Sequence, residues 1–235
     1  MSGNNSASAD NLSDKDIQDL TRILEIIESH KWEVLGSIII SNPAAFQSFS
    51  STINRTTQLN GMTILHACVR YNPPPHIIKM ILDLVPESLT CTDFALRTPL
   101  HVAVGMQARL STIEVLVNFY LDACLMQDLE GKTPLHLACD GAFILFETDL
   151  HDDLTIRTPK FDMIRTLINT CPGSVQLEDY DGMSALEYAI LSDAPLKVVE
   201  LLQITTRTEC EQLHWQVKRS TEGSYTQEQR KRQRG

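Results

Sequence analysis

The sequence predicts an all-α protein in which pairs of antiparallel helices stack in a row. Three observations predict it: a short phrase recurs at a fixed spacing, each copy opens on a helix-start signal, and each is followed by a second apolar stretch of helical period. The copies read Thr63-Ile-Leu-His66-Ala-Cys68, Thr98-Pro-Leu-His101-Val-Ala103, Thr133-Pro-Leu-His136-Leu-Ala138 and Ser184-Ala-Leu-Glu187-Tyr-Ala189. The first three begin 35 residues apart, and the fourth begins 51 residues after the third. A phrase held at a fixed period marks a repeat architecture, whose units bury their apolar faces only against neighbours.

Each element follows from its residues. Thr98 and Thr133 precede Pro99 and Pro134. A Thr at N-cap accepts a hydrogen bond from a free N–H of the first turn, and Pro at N1 gives up no helical bond. The phrase therefore starts an inner helix. Leu65, Leu100, Leu135 and Leu186 fall on one face, with small residues three positions on that let the next helix come close. The stretches 76–85, 111–120, 161–168 and 196–202 carry apolar stripes at helical spacing and read as outer helices. Pro86 and Pro172 are expected to end two of them. The links between repeats each hold an acid, Asp93, Asp128 or Asp179. Gly61, Gly131 and Gly182 stand two residues before the phrase, which suits a turn with positive φ. Leu96 takes that place in one link, so a reshaped turn is expected there.

Before the repeats, 14–42 reads as two helices forming an N-terminal cap, itself a possible degenerate repeat, with a linker to residue 57. The second is expected to end near Asn42-Pro43. Residues 1–13 are polar and expected to be disordered. They also lack the apolar stretch of a secretory signal. At the other end, 204–217 reads as a separate last helix that closes the stack, and 218–235 as a disordered basic tail.

The phrases and their period resemble ankyrin repeats over 58–203. The resemblance implies a solenoid of four repeats with β-turn fingers and helical caps at both ends. It also implies that His66, His101 and His136 are structural, each bonding the backbone of a turn and tying neighbouring repeats together. Thr63, Thr98 and Thr133, with Gly61, Gly131 and Gly182, complete the framework. The function implied is that of a non-catalytic protein-binding module with a concave surface of fingers and inner helices. On that surface the partner-binding candidates are Phe94, Arg97, Leu129, Glu130, Lys132, Tyr180 and Asp181 on the fingers, and Arg70, Tyr71 and Asp140 on the palm. Phe94, Leu129 and Tyr180 form an apolar and aromatic row at equivalent fingertips, the residue types that anchor interfaces. Acids beside them favour a basic or amphipathic partner segment.

Composition narrows the function classes. The last eighteen residues hold six Lys/Arg and two Glu, a charge of +4, and the rest of the chain carries −14 within a total of −10. An acidic body argues against direct nucleic-acid binding, which needs Lys and Arg at phosphates. No run of apolar residues is long enough to span a membrane. Six cysteines without paired metal spacing fit a reducing compartment, cytoplasm or nucleus. Lys218-Arg219, a ten-residue spacer, then Arg230-Lys231-Arg232-Gln-Arg234 resemble a bipartite nuclear import signal. An import receptor would read it extended, which makes a nuclear regulatory adaptor the alternative function. The third repeat carries an insertion, 142–159, with Phe143, Phe146, Glu147, Asp149, His151, Asp152 and Asp153. A metal-regulated protein using those acids is a further alternative, although their spacing fits no Ca²⁺ loop. Gly-rich phosphate loops and nucleophile or zinc-protease motifs are missing, so neither enzyme activity nor a cofactor is expected.

Overall fold

The computed structural model describes residues 12–53, 59–142 and 158–232. Among these residues all regular elements are helical, and the β-type pairing is an isolated bridge between Glu178 and Ser184. The recurring phrases form α4 (Ile64–Arg70), α6 (Pro99–Gly105), α8 (Pro134–Cys139) and α10 (Ala185–Leu191). These pack in succession, α4 on α6, α6 on α8 and α8 on α10. Behind them α5 (Pro75–Leu84), α7 (Leu110–Phe119), α9 (Phe161–Thr170) and α11 (Leu196–Arg232) make a second row in the same order. One continuous apolar core runs between the rows. Cys68, Ala103, Ala138 and Ala189 are buried where the inner helices meet.

All four inner helices begin with a capping box. Thr63, Thr98, Thr133 and Ser184 each accept a hydrogen bond from the N–H three residues on, and the side chain there accepts from the cap's own N–H. That third side chain is His66, His101, His136 or Glu187. The outer helices α5, α7 and α9 have no side-chain cap. Their stability therefore comes from the buried face rather than from local signals.

Inner and outer helices are joined through one left-handed residue, Asn72, Gln107 or Asp193. At Gln107 two bonds close the turn, Gln107 N–H to the Val104 carbonyl and Ala108 N–H to the Ala103 carbonyl. This pair is the Schellman arrangement, which satisfies carbonyls left over at a helix end. The same pair of bonds occurs at Asp193, and again at His30 with Lys31. So α1 (Asp14–Glu28) and α2 (Trp32–Ser41) are connected as the later pairs are.

Four expectations need correction. The segment after Asn42 is a third helix, α3 (Pro43–Ile53), rather than a linker. Asn42 Oδ1 accepts from the Ala45 N–H, so Asn-Pro ends α2 and caps the next helix at once. Ser13, within the stretch expected to be disordered, instead caps α1; residues 1–11 lie outside the described residues. The largest correction concerns the C-terminus. Instead of an outer helix, a separate closing helix and a disordered tail, one helix runs from Leu196 to Arg232. No Pro interrupts this stretch, and Glu, Gln, Lys and Arg are good helix formers that offset the single Gly223.

The turn at Leu96 is not reshaped. Leu96 adopts φ of 58°, beside 77° at Gly61, 80° at Gly131 and 77° at Gly182. Its N–H donates to the Asp93 carbonyl at 2.9 Å, as Gly131 N–H does to Asp128 at 3.0 Å. Neighbouring turns on both sides impose the conformation on a side chain that disfavours it. A left-handed non-glycine residue costs about 1–2 kcal/mol, and glycine's extra freedom in the unfolded chain returns about 0.5–1. Leu96→Gly is therefore expected to raise unfolding stability by roughly 0.5 kcal/mol. Urea denaturation measures this, and a loss of stability would show that the leucine side chain contributes more than its backbone strain costs.

Candidate partner-binding surface

Each link between repeats is organised by one buried acid. Asp93 Oδ1 accepts from the N–H groups of Ala95 and Arg97. Asp128 does the same for Glu130 and Lys132, and Asp179 for Asp181 and Met183. A carboxylate spanning two backbone donors fixes the turn as an aspartate does in an Asx turn. The recurrence of these acids is visible in the sequence, and their role is not.

Successive turns are then tied edge to edge. Phe94 N–H donates to the Asn60 carbonyl at 2.9 Å, Leu129 N–H to Ala95 at 2.8 Å, and Tyr180 N–H to Glu130 at 3.1 Å. A second tie runs through the histidines. Thr63 N–H donates to His66 Nδ1, so the proton sits on Nε2, which donates to the Arg97 carbonyl at 3.0 Å. His101 reaches Lys132 and His136 reaches Met183 in the same way, at 3.2 and 3.1 Å. Burial lowers the His66 and His101 imidazoles to about 4, despite the opposing pull of the accepting carbonyls. Burial lowers His136 as well. The three rings are neutral spacers between repeats.

This scaffold holds the fingertip side chains outward. Phe94 is 59 % exposed, Leu129 61 % and Tyr180 70 %. Their bases are nevertheless packed. A Cβ added to Gly61 would fall 3.0 Å from Phe94 Cδ1, and one added to Gly131 would fall 2.7 Å from Tyr180 Cδ1. The rings thus rest on the glycine of the preceding turn and keep their outer surface in solvent.

The polar candidates divide into two groups. Arg97 is turned inward, with Nε and a terminal nitrogen both 2.7 Å from Asp93 Oδ2. Lys132 is also held internally, 3.1 Å from Glu130 and 3.3 Å from Asp140, with its ammonium 5.0 Å from the Tyr188 ring centre. Burial alone would lower the Lys132 ammonium, but the Glu130 hydrogen bond and the Asp140 charge outweigh it and raise it. The Tyr188 hydroxyl, absent from the sequence-derived candidates, donates to Asp179 Oδ2 at 2.6 Å. Burial would raise the Asp179 carboxyl, yet this bond and the two backbone donors hold it below the usual carboxylate range. Asp181 and the Glu130 side chain remain exposed. On the palm, Arg70 lies over the Tyr71 ring, and Tyr71 packs against the core with His30 at its edge.

The remaining candidates lie elsewhere. Lys218, Arg219, Arg230, Lys231 and Arg232 are on α11, so the basic clusters are carried on a helix rather than an extended segment. Arg234 and residues 143–157, which include every acid of the insertion, lie outside the described residues. Among the described residues no group of His, Cys, Asp and Glu is arranged to hold a metal ion, and no helix is long and apolar enough to cross a membrane. No family model matches the chain, and no curated protein matches its sequence.

Proposed function

We propose that the chain is an ankyrin-repeat-like solenoid whose function is to bind another protein, without catalysis, through the fingertip row. The observation that carries this reading is the exposure of Phe94, Leu129 and Tyr180 on turns that are rigidly tied to one another. Aromatic and large apolar groups held in a fixed register lose little entropy on binding and dominate interface energetics. The cations near them are already neutralised, Arg97 by Asp93 and Lys132 by Glu130 and Asp140. The charge left facing outward is acidic, from Asp181 and the outer part of Glu130. The partner segment is accordingly apolar with basic flanks.

A triple variant, Phe94→Ala/Leu129→Ala/Tyr180→Ala, tests this. The side chains are mostly exposed, so the variant is expected to keep its helical circular dichroism and lose less than about 2 kcal/mol of stability. Proteins recovered by the wild type in a pull-down are expected to fall at least tenfold with the variant. Equal recovery from both would remove the fingertips as the binding surface.

A further inference from the structure

The last helix pair keeps the apolar face of its predecessors, and among the described residues no further helix pair stacks on it. Val69, Val104 and Cys139 sit three residues after the capping-box histidine and are 0, 1 and 0 % exposed, each on an inner helix that has a next inner helix packed against it. The equivalent Ile190 is 55 % exposed. Leu65, Leu100 and Leu135 are buried, whereas the equivalent Leu186 is half-buried. On the outer helices Ile78, Ile113 and Ile164 are buried, and the equivalent Val199 is half-buried. The segment expected to close this end prolongs α11 instead of folding back over α10.

The polar group at the centre of this face has changed its chemistry. In the three earlier interfaces a histidine Nε2–H donates to a carbonyl of the next turn. Glu187 replaces it. Its Oε2 accepts from the Ser184 N–H at 2.7 Å and from the Ser184 hydroxyl at 2.8 Å, which leaves Oε1 for an outside donor. A carboxylate cannot donate to a carbonyl, so another repeat of the same kind would set two acceptors against each other. A second copy using the same face would bring Glu187 towards Glu187. What fits is a donor with positive charge, surrounded by apolar surface, which matches a face continuous with the stack and rimmed by Ile190 and Val199.

We propose that the open face of α10 and α11 is a second docking site, for a partner helix that sets a lysine or arginine between apolar side chains. Glu187 receives the cation, while Leu186, Ile190 and Val199 receive the apolar flanks. The proposal stands apart from the fingertip reading and uses none of its residues.

The test is selection of a phage-displayed library of helical peptides on the full chain. Three variants are then measured by fluorescence anisotropy with the selected peptides. Glu187→Gln keeps a capping box and removes the charge; Ile190→Asp alters a largely exposed residue. Selected helices are expected to share a Lys or Arg flanked by apolar residues, and to lose at least tenfold in affinity for both Glu187→Gln and Ile190→Asp. They are expected to bind the fingertip triple variant as tightly as the wild type, so failure here and failure of the fingertip reading are distinguishable. Failure to select any binder, peptides without the central cation, or peptides that bind Glu187→Gln and Ile190→Asp unchanged would overturn the proposal. Self-association of the wild type that Ile190→Asp abolishes would also overturn it, in favour of a second copy.

Discussion

Lowering the pH from 7 to 5 is expected to remove about 4 kcal/mol of folding stability, chiefly through His66 and His101. In the folded chain their imidazoles are lowered from 6.5 to about 4 by burial. The hydrogen bonds explain why the neutral form is demanded. Nδ1 must accept from the threonine N–H while Nε2 donates to the next turn. Protonation would turn the Nδ1 acceptor into a donor facing a donor. The sign follows from proton counting. Below pH 6.5 the unfolded chain binds protons that the folded chain refuses, so stability is full above that pH and falls as the pH drops towards 4. At pH 5 each ring contributes a loss of about 2 kcal/mol, since one pKa unit is about 1.4 kcal/mol. The slope for the pair is about 2 kcal/mol per pH unit, and His136, lowered for the same reason, adds to it. A domain with about 5–15 kcal/mol in hand would then be near its unfolding midpoint at mildly acid pH. Urea unfolding between pH 7.5 and 4.5 measures this directly. A flat profile over that range would mean that water reaches the rings and that they do not tie the repeats together. In a His66→Asn/His101→Asn variant the remaining slope is expected to fall to that of His136.

The repeated phrase was readable because its signals are local. Thr-Pro caps and starts a helix within four residues, and every inner helix lies where the phrase puts it. Elements set by distant neighbours were harder to read. Leu96 has no local reason to adopt positive φ; the turns on either side, bonded through Phe94 and Leu129, require it. Asn42-Pro43 is an ambiguous signal, since the same two residues end one helix and cap another. The fingertip row was legible as a repeat position, but whether its side chains pack or project depends on the glycine beneath. Phe94 and Tyr180 do both, resting on Gly61 and Gly131 while their outer faces remain in water. Arg97 and Lys132 could not be told from free surface cations by spacing, because their partners are set by the fold, Asp93 by the turn it organises and Asp140 by the end of α8. Glu187 could be seen to replace a histidine, but the openness of the face around it shows only once the path of α11 is known.

The three turn glycines are expected to differ sharply when replaced by alanine, although their backbone angles are nearly the same, 77°, 80° and 77°. Left-handed strain alone would cost each about 1–2 kcal/mol. The neighbours decide the rest. Nothing lies within 4 Å of a Cβ at Gly182, so Gly182→Ala is expected to cost only that strain, less the roughly 0.5–1 kcal/mol gained because alanine has less freedom in the unfolded chain. At Gly61 the added carbon would meet the Phe94 ring at 3.0 Å and the Asp93 and Phe94 backbone at 3.1 Å, a contact relieved by a small shift. At Gly131 it would stand 2.7 Å from both Tyr180 N and Tyr180 Cδ1. The ring can rotate away, but the nitrogen cannot, because it belongs to the bond from Tyr180 to the Glu130 carbonyl that joins the two turns. Relieving the clash separates those turns, losing that bond at about 1 kcal/mol and adding overpacking strain of about 1–3 kcal/mol. Gly131→Ala is therefore expected to cost roughly 3–5 kcal/mol in all, with Gly61→Ala between it and Gly182→Ala. Urea midpoints of the three variants give the order. Equal losses would mean that backbone angle alone governs these positions and that the turns are not in close contact. The predicted order would instead establish that the fingertip surface is one connected strip, in which a displacement at Gly131 also moves the Tyr180 anchor proposed to meet the partner.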